Sequence, residues 1–165
     1  MALSESAGHA WAVFLTAHAV LVEAVEARLA QAGLPPLAWY DVLWALERLG
    51  EGRKRMHELA ELVVLSRSNL TRLVDRLEKA RLVRRVASED DRRGAYAEIT
   101  AEGRKLRRRM WPVYSAAIEE LFGAHLTRAE AESVSRALEK ALARRRLLPA
   151  QRGPRVRAAS PRRGS

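Results

Sequence analysis

Four apolar residues, Leu70, Leu73, Val74 and Leu77, stand at i, i+3, i+4 and i+7. That spacing closes one face of an α-helix and does not fit the two-residue alternation of a strand. The predicted helix runs from Arg67 to about Ala80, with Ser66 as the N-cap. Successive residues turn by about 100°, so the face opposite the leucines carries Ser68, Arg72, Asp75 and Lys79, with Asn69, Thr71 and Arg76 on its shoulders. These side chains are directional donors and acceptors rather than a uniform row of charge.

The surroundings of this helix limit the fold further. Gly50 and Gly52 break the chain before a short predicted helix from Met56 to Val63, which buries Leu59, Ala60, Leu62 and Val63. After the long helix, Leu82 to Val86 and Ala95 to Ile99 are strand-compatible runs, separated by a polar tip from Ser88 to Gly94. Helix, turn, helix and a two- to three-stranded β wing is the order of a winged helix-turn-helix.

Helices are predicted on both sides of this unit. Trp11, Phe14, Leu15, His18, Leu21, Val22, Val25 and Leu29 form one stripe of a first helix that stops at Ala32-Gly33. Pro35-Pro36 leads into a second, Leu37 to about Leu49, with Leu37, Tyr40, Leu43, Trp44 and Leu46 inward. Thr100 restarts helix; Glu102 to about Ala124 turns Leu106, Met110, Trp111, Tyr114, Ile118, Leu121 and Phe122 inward, with a kink or a partnered carbonyl expected at Pro112. Thr127 and Glu130 form a capping box that opens a last helix to about Leu147 through Val134, Leu138, Ala141 and Leu142. The expected class is mainly α with about six helices. Residues 1–52 are read as N-terminal helices for support and dimerisation, 53–100 as the winged unit, 101–148 as C-terminal dimerisation helices, and 149–165 as a basic tail, disordered on its own.

The charge is placed unevenly. The net charge is +10; Arg53 to Arg109 and Arg144 to Ser165 each carry +8, and the remainder sums to −6. A basic centre between acidic flanks predicts an anionic partner docking on one segment, with nucleic acid the first candidate. The chain has no cysteine, which excludes disulfides, thiolate metal sites and thiol redox sensing. The uncharged run Ser6 to Val22 follows Glu5 with no basic residue ahead of it, and Glu23 ends it short of membrane-spanning length, so the expectation is a cytoplasmic protein without a membrane partner. No glycine-rich phosphate loop, nucleophile elbow or paired buried carboxylates are found, so no catalytic residue is assigned.

An α-helix fits the major groove of B-DNA, and residues near its N-terminus reach base edges. Ser66, Arg67, Ser68, Asn69 and Arg72 fall there, followed by Thr71 and Arg76. Arg72 has the fork geometry for guanine O6 and N7, a pairing that discriminates by roughly 1–3 kcal/mol. In the wing tip, Arg92 and Arg93 suit a narrow minor groove, and Asp91 is placed to orient a guanidinium.

Met56 to Gly103 closely resembles the winged-helix core of the MarR family of bacterial regulators. The likeness is carried by Leu59-Ala60, Leu73-Val74-Asp75-Arg76-Leu77, Asp91-Arg92-Arg93 and Thr100 to Gly103, in the family's order and spacing, with Gly33 to Leu46 similar to its second helix. The resemblance implies a triangular homodimer based on the first and last helices. It implies base and backbone contacts from the second helix of the motif, including Arg72, and minor-groove contact by Arg92 or Arg93. It also implies a near-palindromic operator with half-sites about 34 Å apart, and repression relieved by small aromatic compounds or oxidants. Two positions depart from the pattern: Arg81, where glycine usually ends the recognition helix, so that a left-handed stop would be costlier or absent, and Val64 in the motif's turn.

A cleft lined from the first, second and fifth helices would draw on Trp11, His18, Trp39, Tyr40, Trp44, Trp111 and Tyr114, either as a pocket for a small aromatic effector, an acid among the candidates, or as ordinary core and dimer packing. No metal or other cofactor is assigned: His9, His57 and His125 lack ligand spacing, and His18 fits an interface better than a metal. An architectural DNA-coating protein and a non-DNA ligand- or protein-interaction module are the competing functions.

Overall fold

The computed structural model describes residues 2–48, 52–63, 67–87 and 95–143, the side chain of Arg67 excepted. Ser66, Val64, the wing-tip residues Asp91, Arg92 and Arg93, and the arginine-rich tail lie outside the described residues. Six α-helices are described: α1 (Glu5–Gln31), α2 (Leu37–Glu47), α3 (Met56–Leu62), α4 (Arg67–Lys79), α5 (Ala101–Leu121) and α6 (Arg128–Ala143). The strands are β1 (Arg53–Arg55), β2 (Val83–Ala87) and β3 (Ala95–Ile99), in one antiparallel sheet of order β1-β3-β2.

Local chemistry sets the helix ends. Ser4 caps α1 by accepting from the Ala7 N–H at 3.3 Å. At its far end Gly33 takes φ +66°, and Leu34 N–H reaches back to the Leu29 carbonyl at 2.9 Å, the expected left-handed stop. Pro36 offers no side chain to cap α2; instead Glu26 of α1 accepts from the Leu37 N–H at 3.0 Å. The capping box at Thr127 and Glu130 forms in both directions. Pro112 sits on the exposed side of α5, which continues through it.

Two cores flank α2. One joins Val42, Leu43, Leu46, Leu59, Leu70, Leu73, Val74, Leu77, Val83, Ala97 and Ile99 beneath the wing. The other joins Val25, Leu29, Tyr40, Met110 and Ala117 of α1, α2 and α5. Leu106 packs against both. Helix α2 is thus buried on more sides than the predicted stripe, with Val42 and Ala45 inside as well.

Two expectations are made more definite and a third is corrected. Arg81 does adopt the left-handed conformation, at φ +59°. Arg81 N–H bonds to the Glu78 carbonyl at 2.8 Å and Leu82 N–H to the Leu77 carbonyl at 2.9 Å, a complete Schellman turn with both leucines buried beneath it. Second, only Val25 and Leu29 of the α1 stripe are buried, while Trp11, Phe14 and Leu15 are exposed. Third, α1 continues through Glu23, and by length and composition it could cross a membrane: its most apolar window has a mean hydropathy of 1.5 and is only 6% buried.

Candidate nucleic-acid interface

The leucine stripe of α4 is fully inside, which forces the other face outward. Ser68, Asn69, Thr71, Arg72, Arg76 and Lys79 are all exposed. Among the described residues no ion pair engages Arg72 or Arg76. Asp75, on the same helix, turns toward the wing: it pairs with Arg85 of β2 rather than with Lys79. Glu78 accepts from the Arg85 guanidinium at 2.8 Å and from its backbone N–H at 3.0 Å. Arg85 thus bridges α4 and the wing above the core that Leu77 and Val83 share.

The sheet register separates two faces. Lys54 and Arg85 both oppose Ala97, and Val83 opposes Ile99; Ala97, Val83 and Ile99 are buried, so this is the inner face. On the outer face Arg53 and Arg84 flank Glu98, and Arg55 and Val86 flank Tyr96. Arg84 grips Glu98 with Nε at 3.1 Å and Nη2 at 2.9 Å. This bond is the chief reason that the Glu98 carboxyl lies below the usual carboxylate range, with Arg53 and Arg104 adding to it. The guanidinium of Arg53 lies 5.4 Å and that of Arg55 5.2 Å from the centre of the Tyr96 ring, and Arg55 Nε donates to the Tyr96 hydroxyl at 3.1 Å.

Where α4 leaves and α5 begins, the chain closes on itself. Thr100 Oγ1 donates toward the Arg81 carbonyl at 2.8 Å and the Leu82 carbonyl at 3.0 Å, and accepts from the Gly103 N–H at 3.0 Å as the N-cap of α5. A Cβ at Gly103 would collide with the Leu82 carbonyl oxygen. The Thr100 to Gly103 pattern thus has a steric and a hydrogen-bonding reason.

The seven aromatic and histidine residues proposed for an effector cleft do not form one group. Tyr40 stacks on Trp111 at 6.1 Å and meets the edge of Tyr114 at 5.0 Å, with Trp44 against the same core. Trp39 packs instead against the core beneath the wing. Trp11 and His18 both approach Phe14 on the exposed part of α1. Beside the tyrosines Asp41 is largely buried; loss of hydration, then Glu26, pushes its carboxyl up to about 6. Burial, then the charge of Asp41 and Tyr40, moves the Tyr114 hydroxyl to about 12. Burial also raises Tyr40, against a hydrogen bond from Arg107 that lowers it. No group of three or more metal-binding side chains occurs among the described residues.

Sequence reasoning did not single out Arg85, Arg53, Arg84 or Tyr96. Strand alternation alone carried a signal, since it puts Arg84 and Arg85 on opposite faces.

The arrangement matches known proteins. The MarR family profile fits residues 32–94, from the end of α1 to the wing tip. HTH-type transcriptional regulator MhqR of Bacillus subtilis is 30% identical over 90 residues, 54% of this chain and 61% of that protein. The chain thus matches less than two thirds of the length of this curated relative. AbsC, a MarR family regulator of Streptomyces coelicolor, superposes with a TM-score of 0.79 at 29% identity, covering 88% of this chain and 98% of AbsC. Sco3205 of the same organism, solved in complex with DNA, gives a TM-score of 0.79 at 28% identity, with 91% and 92% covered. Residues 32–94 thus match the MarR family, and over most of its length the chain has a fold similar to that of these two winged helix-turn-helix MarR family regulators.

Proposed function

We propose that the chain binds duplex DNA as a homodimer and represses transcription from a near-palindromic operator until a small aromatic ligand relieves the repression. The observation that carries DNA binding is the outward face of α4, where exposed Arg72 and Arg76 stand on a helix locked to the wing through Arg85. A helix so held can enter a major groove, and a guanidinium near its leading end can pair with guanine. Sco3205 was solved with DNA at 28% identity over nearly the whole chain, which supports the same use here. Arg92 and Arg93 remain the proposed minor-groove contacts, with Asp91 orienting them.

The homodimer is supported by apolar surface that one protomer leaves open. Trp11, Val13, Phe14, Leu15 and Val20 of α1 and Val134, Leu138 and Leu142 of α6 are exposed. Burying such residues stabilises by about 1.5–3 kcal/mol each, and a second copy brings the same surface to the contact. In this cytoplasmic reading a protomer, not a bilayer, covers α1. The ligand response rests on the gathering of Tyr40, Trp44, Trp111 and Tyr114 where α1, α2 and α5 meet. Asp41 and Glu26 beside it favour a neutral ligand over an anion.

The test is selection of duplexes from a random pool, followed by titration of the selected and a scrambled duplex with wild type and Arg72→Ala. Loss of discrimination with residual nonspecific binding is expected. Equal affinity of the wild type for both duplexes would favour an architectural role, and no binding to either would favour a non-DNA module. Sedimentation at micromolar concentration should show a dimer; a monomer would overturn the symmetric operator.

A further inference from the structure

The outer face of the wing sheet carries more positive charge than its own contacts consume. Three guanidiniums, those of Arg53, Arg84 and Arg104, act on the single Glu98 carboxylate. Arg84 alone occupies both Glu98 oxygens. Arg53, on the edge strand β1, is exposed and is held against the flat face of Tyr96, which limits the rotamers that it must give up on binding. Cross-strand register puts Arg53, Glu98 and Arg84 side by side in one row across the sheet, with Tyr96 in the next row toward the wing tip. The face points away from α4, because Val83, Ala97, Ile99 and the Arg85 clamp occupy the other side. With β3 between them, the two edge strands lie two spacings of about 4.8 Å apart, so their long cationic side chains span more than a single small anion and can reach separate phosphates of one nucleic-acid strand.

From this we infer that the outer wing face, centred on Arg53 and Arg84, is a second duplex-DNA contact that grips backbone phosphates beyond the groove entered by α4. It rests on the DNA-binding reading above and adds a surface that neither the recognition helix nor the wing tip supplies. Its contribution is electrostatic and independent of sequence, so it lengthens the occupied stretch of DNA without changing the preferred site.

The experiment measures affinity by fluorescence anisotropy across a series of salt concentrations, on duplexes of about two and about four helical turns centred on the same selected site. Wild type, Arg53→Gln, Arg53→Gln/Arg84→Gln and the control Arg128→Gln, on α6, are compared. Glutamine keeps the backbone pairing of β1 and β2, and melting curves confirm folding. Wild type should bind the longer duplex more tightly. Arg53→Gln should reduce the slope of log affinity against log salt by about one on the longer duplex, and the double variant by up to about two. Affinity for that duplex should fall about tenfold, equally for selected and scrambled sequences, with a much smaller change on the short duplex and none for Arg128→Gln. Unchanged slopes in both variants, with the wild type bound normally, would overturn the second contact and leave the function standing. Failure of the wild type to bind either duplex would overturn both.

Discussion

Arg85 of β2 meets Glu78 of α4 twice, through its guanidinium at 2.8 Å and through its backbone N–H at 3.0 Å. The same guanidinium pairs with Asp75 one turn earlier on that helix. The helix and the wing proposed to engage one duplex together are thereby joined by side chains other than the proposed base contacts.

Replacing Arg85 by Gln should loosen that joint more than it destabilises the fold. All three side chains are substantially exposed, and such pairs contribute at most about 1 kcal/mol. Thermal unfolding is expected to shift by only a few degrees, while affinity for a selected duplex falls about five- to tenfold. A drop in melting temperature matching the loss of affinity would show the arginine to be merely structural.

Gly103→Ala should be severe. The added Cβ has nowhere to go between the Leu82 carbonyl and the Ile99 and Leu43 side chains, and overpacking of this kind typically costs about 1–3 kcal/mol or more. Chemical denaturation would report it as a lower midpoint.

Arg81→Gly should act in the opposite direction. A non-glycine residue in the left-handed region carries a penalty of roughly 1–2 kcal/mol, and Arg81 is exposed at φ +59°. Part of the gain is lost to the extra freedom of glycine in the unfolded chain, so a net stabilisation of about 0.5–1 kcal/mol is expected by the same measurement.

Asp41 gives the protein a pH dependence. Its folded carboxyl is raised to about 6 from an ordinary value near 3.8, so the folded state binds the proton more tightly than the unfolded one. Stability from this group is greatest below the unfolded value and is lost as pH rises through about 6, a change of order 2–3 kcal/mol. Melting temperature should therefore rise between pH 7 and pH 5 relative to Asp41→Asn, in which this component is absent. Parallel profiles for the two proteins would refute the assignment.

Much of this architecture could be read from the residues alone. Leu70, Leu73, Val74 and Leu77 admit only one period, and burying them determines which α4 residues face outward. The stop at Gly33 and the capping box at Thr127 are local chemistry and form as expected. Strand β1 was not singled out, because Arg53-Lys54-Arg55 shows no apolar alternation and is a strand only by pairing with β3 more than forty residues later. The Arg85 clamp is likewise non-local. At Arg81, backbone preference argued against the turn, but the buried Leu77 and Leu82 and the Thr100 hydroxyl outweigh it. The α1 stripe was visible, whereas periodicity cannot say that one protomer leaves most of it uncovered.

The Leu82 carbonyl oxygen receives the Thr100 amide and hydroxyl, both at 3.0 Å, and lies against the bare Cα of Gly103. The chain therefore departs from one helix and joins the next at a single point, and Val83 to Ile99 form a detour closed at its neck. Such a detour can gain or lose paired residues over evolutionary time while both helices keep their places. How far the hairpin reaches, and how firmly the scaffold stands, are free to vary separately.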